Sequence, residues 1–330
     1  MRKFLTAVFC IVISGCASAS AACPKLLYWA VNHYRENDAA DAHYWGKTVG
    51  AQGVFVTYYM TYWTTNVGGT PNKLWSDAKS FQQTYAKYGV TDNFLKVSIY
   101  SKLNWGSPAV VNQYITNFGN LAKMAKYAGF KGIALDLEPY SPGWGGGVGG
   151  NAQIVQRAGR LIGQAMRQAY PGMTLIVLPD VVHQYNATKN LDLASGGYGL
   201  SVPFVRGLFQ QSWKQVVMAT ETTYTARPEN VPRFVDEAYS NYASMYKGKF
   251  PFTVAPGSWP LGKTSTNKAA VMTVDRFQQN IAAAYKAAKS YVWIFGNGTA
   301  WQSDKYGPVV PNFPQYVNAA WNAARNACTK

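Results

Sequence analysis

The stretch KGIALDLEPYSPGWGGG, from Lys131 to Gly147, joins an apolar run to two carboxylates that are separated by one residue. Successive side chains of a β-strand point to opposite faces, so Ala134, Asp136 and Glu138 share one face. The aliphatic residues between them share the other face, which suits packing against helices. The stretch therefore predicts a buried strand whose acids lie at its carboxyl end. Acids placed there cost free energy unless they are hydrogen-bonded or share a proton.

Similar apolar segments recur along the chain, and each is followed by a stretch of helical character. Strands that alternate with helices pair in parallel through right-handed crossovers, and eight such units in about 300 residues match a barrel. An open doubly wound sheet would carry a glycine-rich turn after the first strand, where VNHYREN stands instead. The predicted fold class is therefore α/β, a single-domain (β/α)₈ TIM barrel over residues 23–330. The predicted strands are 26–32, 53–59, 95–101, 132–138, 174–180, 215–221, 252–258 and 291–297, and helices are predicted near 38–50, 75–88, 109–128, 151–169, 203–210, 229–246, 274–289 and 314–326.

The composition indicates a large folded domain that follows an export signal. Of the 330 residues, 48% are hydrophobic and 14% are charged, which supports a sizeable core. Residues 1–22 contain Arg2 and Lys3, a short apolar run and then small residues, the pattern of a signal peptide. ISGC resembles a bacterial lipobox with Cys16 as the acylated residue, whereas ASA ending at Ala21 is an ordinary cleavage site. The mature protein is expected in the periplasm, on the outer membrane as a lipoprotein, or outside the cell.

Charge and cysteine content set expectations about partners. The net charge is +16, which favours anionic partners, although scattered basic residues also serve solubility. Lysines and arginines form no run typical of a nucleic-acid arm, so no nucleic-acid partner is expected. Cys23 and Cys328 are the only cysteines outside the signal region. In an oxidising compartment they are predicted to form a disulfide.

Carboxylates also follow the next two predicted strands. Asp180 follows LIVLP, and Glu221 follows VVMAT in phase with Ala219. Active sites of such barrels lie at the carboxyl ends of the strands, so these acids are predicted to converge with Asp136 and Glu138. Close like charges raise the pKa of one carboxyl, which suits a general acid. The alternative is that the acids are structural and pair with arginine or lysine.

Aromatic side chains follow the predicted strands from the second to the eighth. Rings stack on sugars while carboxylates protonate the leaving oxygen and stabilise or attack the anomeric carbon, so the combination is typical of glycoside cleavage. Core packing also uses aromatic residues and is the alternative for many of them. The predicted substrate-binding residues, together with Asp180, are Trp63, Tyr100, Trp105, Tyr140, Trp144, Tyr224, Trp259 and Trp301.

The segment KGIALDLE resembles the strand-4 signature of chitinase-type (family 18) glycoside hydrolases, in which a glycine and three alternating aspartates lead to a glutamate. The match covers Gly132, Asp136 and Glu138, while Lys131 and Ala134 stand at two aspartate positions. The resemblance implies that Glu138 is the general acid and that Asp136 orients substrate and shares a proton. VVMATE is loosely similar to that family's strand-6 Met-x-Tyr-Asp. Other barrel glycosidases, which this chain also resembles, pair a strand-4 nucleophile with a strand-6 acid/base.

Other chemistries have weaker support in the sequence. The histidines His33, His43 and His183 are scattered and lack metal-ligand spacing, so neither metal nor cofactor is expected. GWGGGVGGN directly follows acids that would repel phosphate, and it is predicted to form a mobile loop over the site. A serine hydrolase is not expected, because the sequence has no Gly-x-Ser-x-Gly elbow.

These patterns predict an exported glycoside hydrolase that acts on a polysaccharide, with anionic polymers among the candidates. Glu138 is the expected general acid/base, Asp136 its partner or the nucleophile, and Glu221 the second catalytic carboxylate. The alternative is a barrel at the cell surface that binds glycan without cleaving it. The two missing aspartates favour this alternative, and the retained carboxylates favour the enzyme.

Overall fold

A closed barrel of eight parallel strands forms the centre of the molecule. The computed structural model describes residues 23–29, 39–60, 62–99, 102–139, 144, 150–181, 198–246, 248–260, 272–296 and 313–328. Each strand pairs with its neighbours in the sequence, and the first pairs with the last, which confirms the predicted fold. Every strand begins within one residue of its predicted start. The strands are β1 Lys25–Trp29, β2 Gly53–Met60, β3 Phe94–Ile99, β4 Gly132–Pro139, β5 Thr174–Leu178, β6 Gln215–Thr220, β7 Phe252–Ser258 and β8 Tyr291–Phe295.

Helices follow the strands and cover the outside of the barrel. Local sequence sets their ends, as the longest one shows: Ser107 caps its first turn by accepting from Val110 N, and Gly129 ends it at φ 86°. Within the described residues, no helix is long and apolar enough to cross a membrane. The helices are α1 Ala39–His43, which continues as a π-helical turn over Tyr44–Thr48, α2 Lys73–Ala86, α3 Pro108–Ala128, α4 Ala152–Ala169, α5 Ser201–Leu208, α6 Val231–Tyr246, α7 Val274–Ala287 and α8 Phe313–Cys328.

Strand alternation separates two buried layers. On β4, Ile133, Leu135 and Leu137 belong to the layer between strands and helices, as the sequence predicted. Ala134 belongs to the barrel interior, which places Asp136 and Glu138 in phase with it. The other buried interior residues are mostly large and apolar, so the barrel is filled rather than hollow: Leu27, Trp29, Phe55, Phe94, Ile176, Leu178, Val217, Ala219, Ala255, Tyr291 and Trp293.

The two ends of the barrel's chain are joined covalently. Cys23, which precedes β1, forms a disulfide with Cys328 at the end of α8, with their Cα atoms 5.5 Å apart. The predicted disulfide is therefore confirmed. It closes a loop of sequence separation 305 and fixes the last helix against the strand with which the barrel begins.

Candidate active site

Asp136 lies at the carboxyl end of β4 and is completely buried. Ser98 Oγ donates a hydrogen bond to its Oδ2 at 2.7 Å, and Lys96 Nζ lies 3.1 Å from the same oxygen. The backbone N–H of Glu138 donates to Oδ1 at 3.2 Å. Groups of the protein thus hold both carboxylate oxygens, and Asp136 is fixed in place with an adjacent positive charge.

Lys96 is the cation that faces Asp136 from β3. Its side chain is only 4% exposed, and Nζ also lies over the Trp29 ring, 3.8 Å from the ring centroid. Burial lowers the pKa of Lys96, while the charge of Asp136 opposes that shift. The sequence-based reasoning missed this pair. Its signal was the single charged residue of the strand FLKVSI, a lysine in phase with Phe94 and Ser98.

Glu221 follows β6 directly and is electrostatically coupled to Glu138. Burial is the largest cause that raises the pKa of Glu221, to about 8, and the negative charge of Glu138 is the next. The hydroxyl of Tyr224 donates to Glu221 Oε1 at 3.0 Å and opposes this rise, while the charge of Asp136 adds to it. These interactions show that the three acids lie near one another, and burial together with the charge of Glu138 favours the protonated form of Glu221.

Tyr198 contributes a phenol beside the acids. It lies just before α5 and is half-buried. Burial raises the pKa of Tyr198, and the charges of Glu138, Glu221 and Asp136 raise it further. The phenol consequently remains a hydrogen-bond donor next to the carboxylates. No sequence pattern pointed to this residue, because its place at the mouth, the end of the barrel where the carboxyl ends of the strands meet, depends on contacts between distant segments.

Tyr224 and Trp259 form an aromatic wall after β6 and β7. Their ring centroids are 5.6 Å apart, and Tyr224 stacks on Phe295 with centroids 5.7 Å apart. Trp259 is half-buried, and within the described residues its Nε1 has no hydrogen-bond partner. That nitrogen is itself buried, so it offers no donor to a ligand in this structure. Asp180, a further predicted residue, is buried two positions beyond the end of β5 at the same end of the barrel.

Three predicted platform residues pack elsewhere. Trp63, Trp105 and Trp144 are 1%, 2% and 0% exposed, and they contact each other with ring centroids about 6 Å apart. Phe118 and Phe204 complete this cluster. The rings have no face open to a sugar in this structure. Apolar burial explains their positions, so the core-packing alternative holds for these three residues.

Several predicted residues lie outside the described part of the chain. These residues are Tyr100, Tyr140, Trp301, His33 and His183. Most residues of the glycine-rich segment GWGGGVGGN also lie outside it, and Trp144, Gly150 and Asn151 are described. His43 is exposed on α1. Among the residues that the structure describes, no cluster of three or more acids, histidines or cysteines could hold a metal ion.

Comparison with known proteins finds similarity of fold. No family model matches the chain, and no curated protein matches it. A solved structure of GH5_18 from Streptomyces cattleya in complex with GlcNAc is similar at a TM-score of 0.58 and 14% identity, covering 94% of this chain and 82% of that one. The endo-1,4-β-mannanase of Rhizomucor miehei is similar at a TM-score of 0.57 and 11% identity, covering 94% of this chain and 95% of that one.

The exo-β-1,4-mannosidase Op5Man5 from Opitutaceae bacterium strain TAV5 is similar at a TM-score of 0.55 and 11% identity, with 94% of this chain covered. This chain spans only 61% of the length of that protein. At such identities the likeness shows the fold alone. The predicted resemblance to barrel glycoside hydrolases is confirmed at that level.

Proposed function

We propose that the protein is a glycoside hydrolase in which Glu138 and Glu221 are the reacting carboxylates. The observation that carries this proposal is the coupling of the two glutamates at the mouth, where burial and the charge of Glu138 raise the pKa of Glu221 to about 8. Glycoside cleavage requires one protonated and one ionised carboxyl across the scissile bond. A barrel fold shared with several glycoside hydrolases adds support.

The coupling suggests a division of roles that differs from the sequence-based expectation. Glu221 holds the proton and would donate it to the leaving oxygen, while Glu138, ionised, would attack the anomeric carbon or activate water. Asp136 would be a positioning residue rather than a nucleophile, because Ser98, Lys96 and the Glu138 N–H already hold its oxygens. Its fixed charge disfavours a second negative charge on Glu221.

The substrate is proposed to be a polysaccharide or oligosaccharide. Similar solved structures include enzymes whose names refer to mannan and glucan, which supports a sugar polymer as the substrate. The wall of Tyr224 and Trp259 offers aromatic rings at the mouth, and such rings can stack on sugars. We also propose that the protein is exported, on the basis of the signal pattern in residues 1–22.

A screen for released reducing ends tests the proposal. Purified protein is incubated with bacterial, fungal and plant polysaccharides, alongside Glu138→Gln and Glu221→Gln, which keep side-chain shape but cannot perform proton transfer or attack. The wild type is expected to release sugar, and each variant is expected to be slower by about 10²-fold or more. Tight binding to one polymer with no release by the wild type would instead support the glycan-binding alternative.

A further inference from the structure

Exposed lysines surround the end of the barrel opposite the active site. Each helix ends at that face and the next strand begins there, so the helix-to-strand connections form its surface. The connections that lead into β3, β4, β6, β7 and β8 each contain an exposed lysine, and these five define what we call the basic face: Lys87, Lys131, Lys214, Lys249 and Lys289. Since the five strands are distributed around a closed barrel, the positive charges encircle the face.

Exposed carboxylates do not offset this charge. Among the described residues, the one acid located between a helix end and the next strand is Asp92, which is 4% exposed. Lys25 Nζ lies 2.8 Å from its Oδ1, and the Tyr291 hydroxyl donates to its Oδ2 at 2.7 Å. The described acids of the mouth lie at the other end. The molecule therefore has an acidic mouth and a basic face at opposite ends of the barrel.

Helix stability does not account for the basic face. Cations near the carboxyl end of a helix are favourable because they interact with the helix dipole, but this effect is confined to the last turn. Lys214 lies six residues beyond the end of α5, and Lys131 and Lys249 lie three residues beyond the ends of α3 and α6. The helix dipole therefore does not explain these three positions.

The chain also enters the barrel at the basic face. Cys23 immediately precedes β1 and is joined to Cys328 at the end of α8, so the residues before Cys23 attach to this face. If Cys16 is the acylated residue, as the ISGC pattern suggests, residues 17–23 span at most about 25 Å. The face would then be held beside the bilayer.

We propose that the basic face docks on a membrane surface that contains anionic lipid, with the mouth turned away from it. Charges that encircle a face match a laterally continuous anionic surface, whereas a single polysaccharide chain requires cations along a line. One acyl chain alone gives marginal membrane binding, and a basic patch supplies the second attraction. The proposal is independent of hydrolysis, since none of its residues lies at the mouth.

Vesicle co-sedimentation tests this docking. The full chain carries Cys16→Ser, so that no acyl group contributes, and is mixed with vesicles of phosphatidylcholine with or without phosphatidylglycerol. The test variant replaces the five lysines of the basic face by glutamine. The control variant removes the same number of exposed cations from strand-to-helix loops and the first two helical turns, at Lys73, Lys79, Lys102, Arg157 and Arg227. Both variants lose equal net charge, and thermal unfolding verifies that both are folded.

The parent chain is expected to bind the vesicles that contain phosphatidylglycerol, and added salt should weaken that binding. Each lysine near an anionic surface contributes about fivefold to the partition coefficient, so three contacts at once account for about a hundredfold. The test variant should lose that affinity and the control should largely keep it. Absence of binding by the parent chain, or an equal loss in both variants, would overturn the proposal. So would a result in which the parent chain binds a soluble anionic polysaccharide but no vesicle, and the test variant loses that binding.

Discussion

Replacing Lys96 by methionine should destabilise the barrel strongly. The substitution keeps most of the volume but leaves the carboxylate of Asp136 buried without the cation now 3.1 Å away. Both side chains are almost inaccessible, at 4% and 0% exposure, so water cannot replace the lost partner. Breaking a buried pair in this way typically costs 3–5 kcal/mol, and the remaining bond from Ser98 places the expectation at about 3 kcal/mol.

Urea unfolding of matched variants measures this cost. Lys73→Met breaks the Lys73–Asp77 pair, which has an N–O distance of 2.8 Å but exposures of 87% and 54%, and should cost less than about 1 kcal/mol. Lys96→Met combined with Asp136→Asn removes both buried charges and should be more stable than Lys96→Met alone. A cost for Lys96→Met no larger than that for Lys73→Met would refute the reasoning, because the buried pair would then not constrain Asp136.

The rate of hydrolysis should fall as pH rises through about 8, because Glu221 then loses the proton that it donates; a rate that stays constant to pH values well above this would contradict the assignment. Because the folded-state pKa of Glu221 is raised from 4.5 to about 8, the stability of the wild type relative to Glu221→Gln should decline from about pH 4.5 to about pH 8 and level off above it, which thermal unfolding at several pH values can show. Replacing Cys23 and Cys328 by serine should lower the free energy of unfolding by up to about 5 kcal/mol, and titration of the unreduced, unfolded wild type should find no free thiol at either residue. Trp63→Ala should cost about 3–5 kcal/mol of stability because the ring is buried, whereas Trp259→Ala should mainly weaken glycan binding, a contrast that unfolding and binding measurements on both variants would reveal.

Strand phase made much of this architecture predictable. The alternation in GIALDLE assigned Ala134 to the interior and the leucines to the outer layer, and the same rule placed Glu221 towards the mouth. Local signals such as Ser107 and Gly129 delimit helices without any knowledge of the fold. These features depend on residues that are close in the sequence, so a single chain reveals them.

The contents of the site were less predictable because they depend on contacts between distant segments. The pairing of Lys96 with Asp136 requires the register between β3 and β4, which the sequence does not provide. Trp63 and Trp105 follow strands and are aromatic, as residues that stack on sugars are. In the folded protein, however, they pack against each other in the core outside the barrel. The pKa of Glu221 likewise arises from burial and from Glu138 on another strand.

The dependence of rate on the leaving group tests the central claim most directly. The aryl glycoside of the sugar identified by the screen would be prepared with a nitrophenol that departs without protonation, and compared with the natural polymer. Glu221→Gln should recover much of its rate on the activated substrate because no proton donor is then needed, whereas Glu138→Gln should remain inactive on both. Recovery by Glu138→Gln instead, or wild-type rates in both variants on the polymer, would contradict the proposed pair.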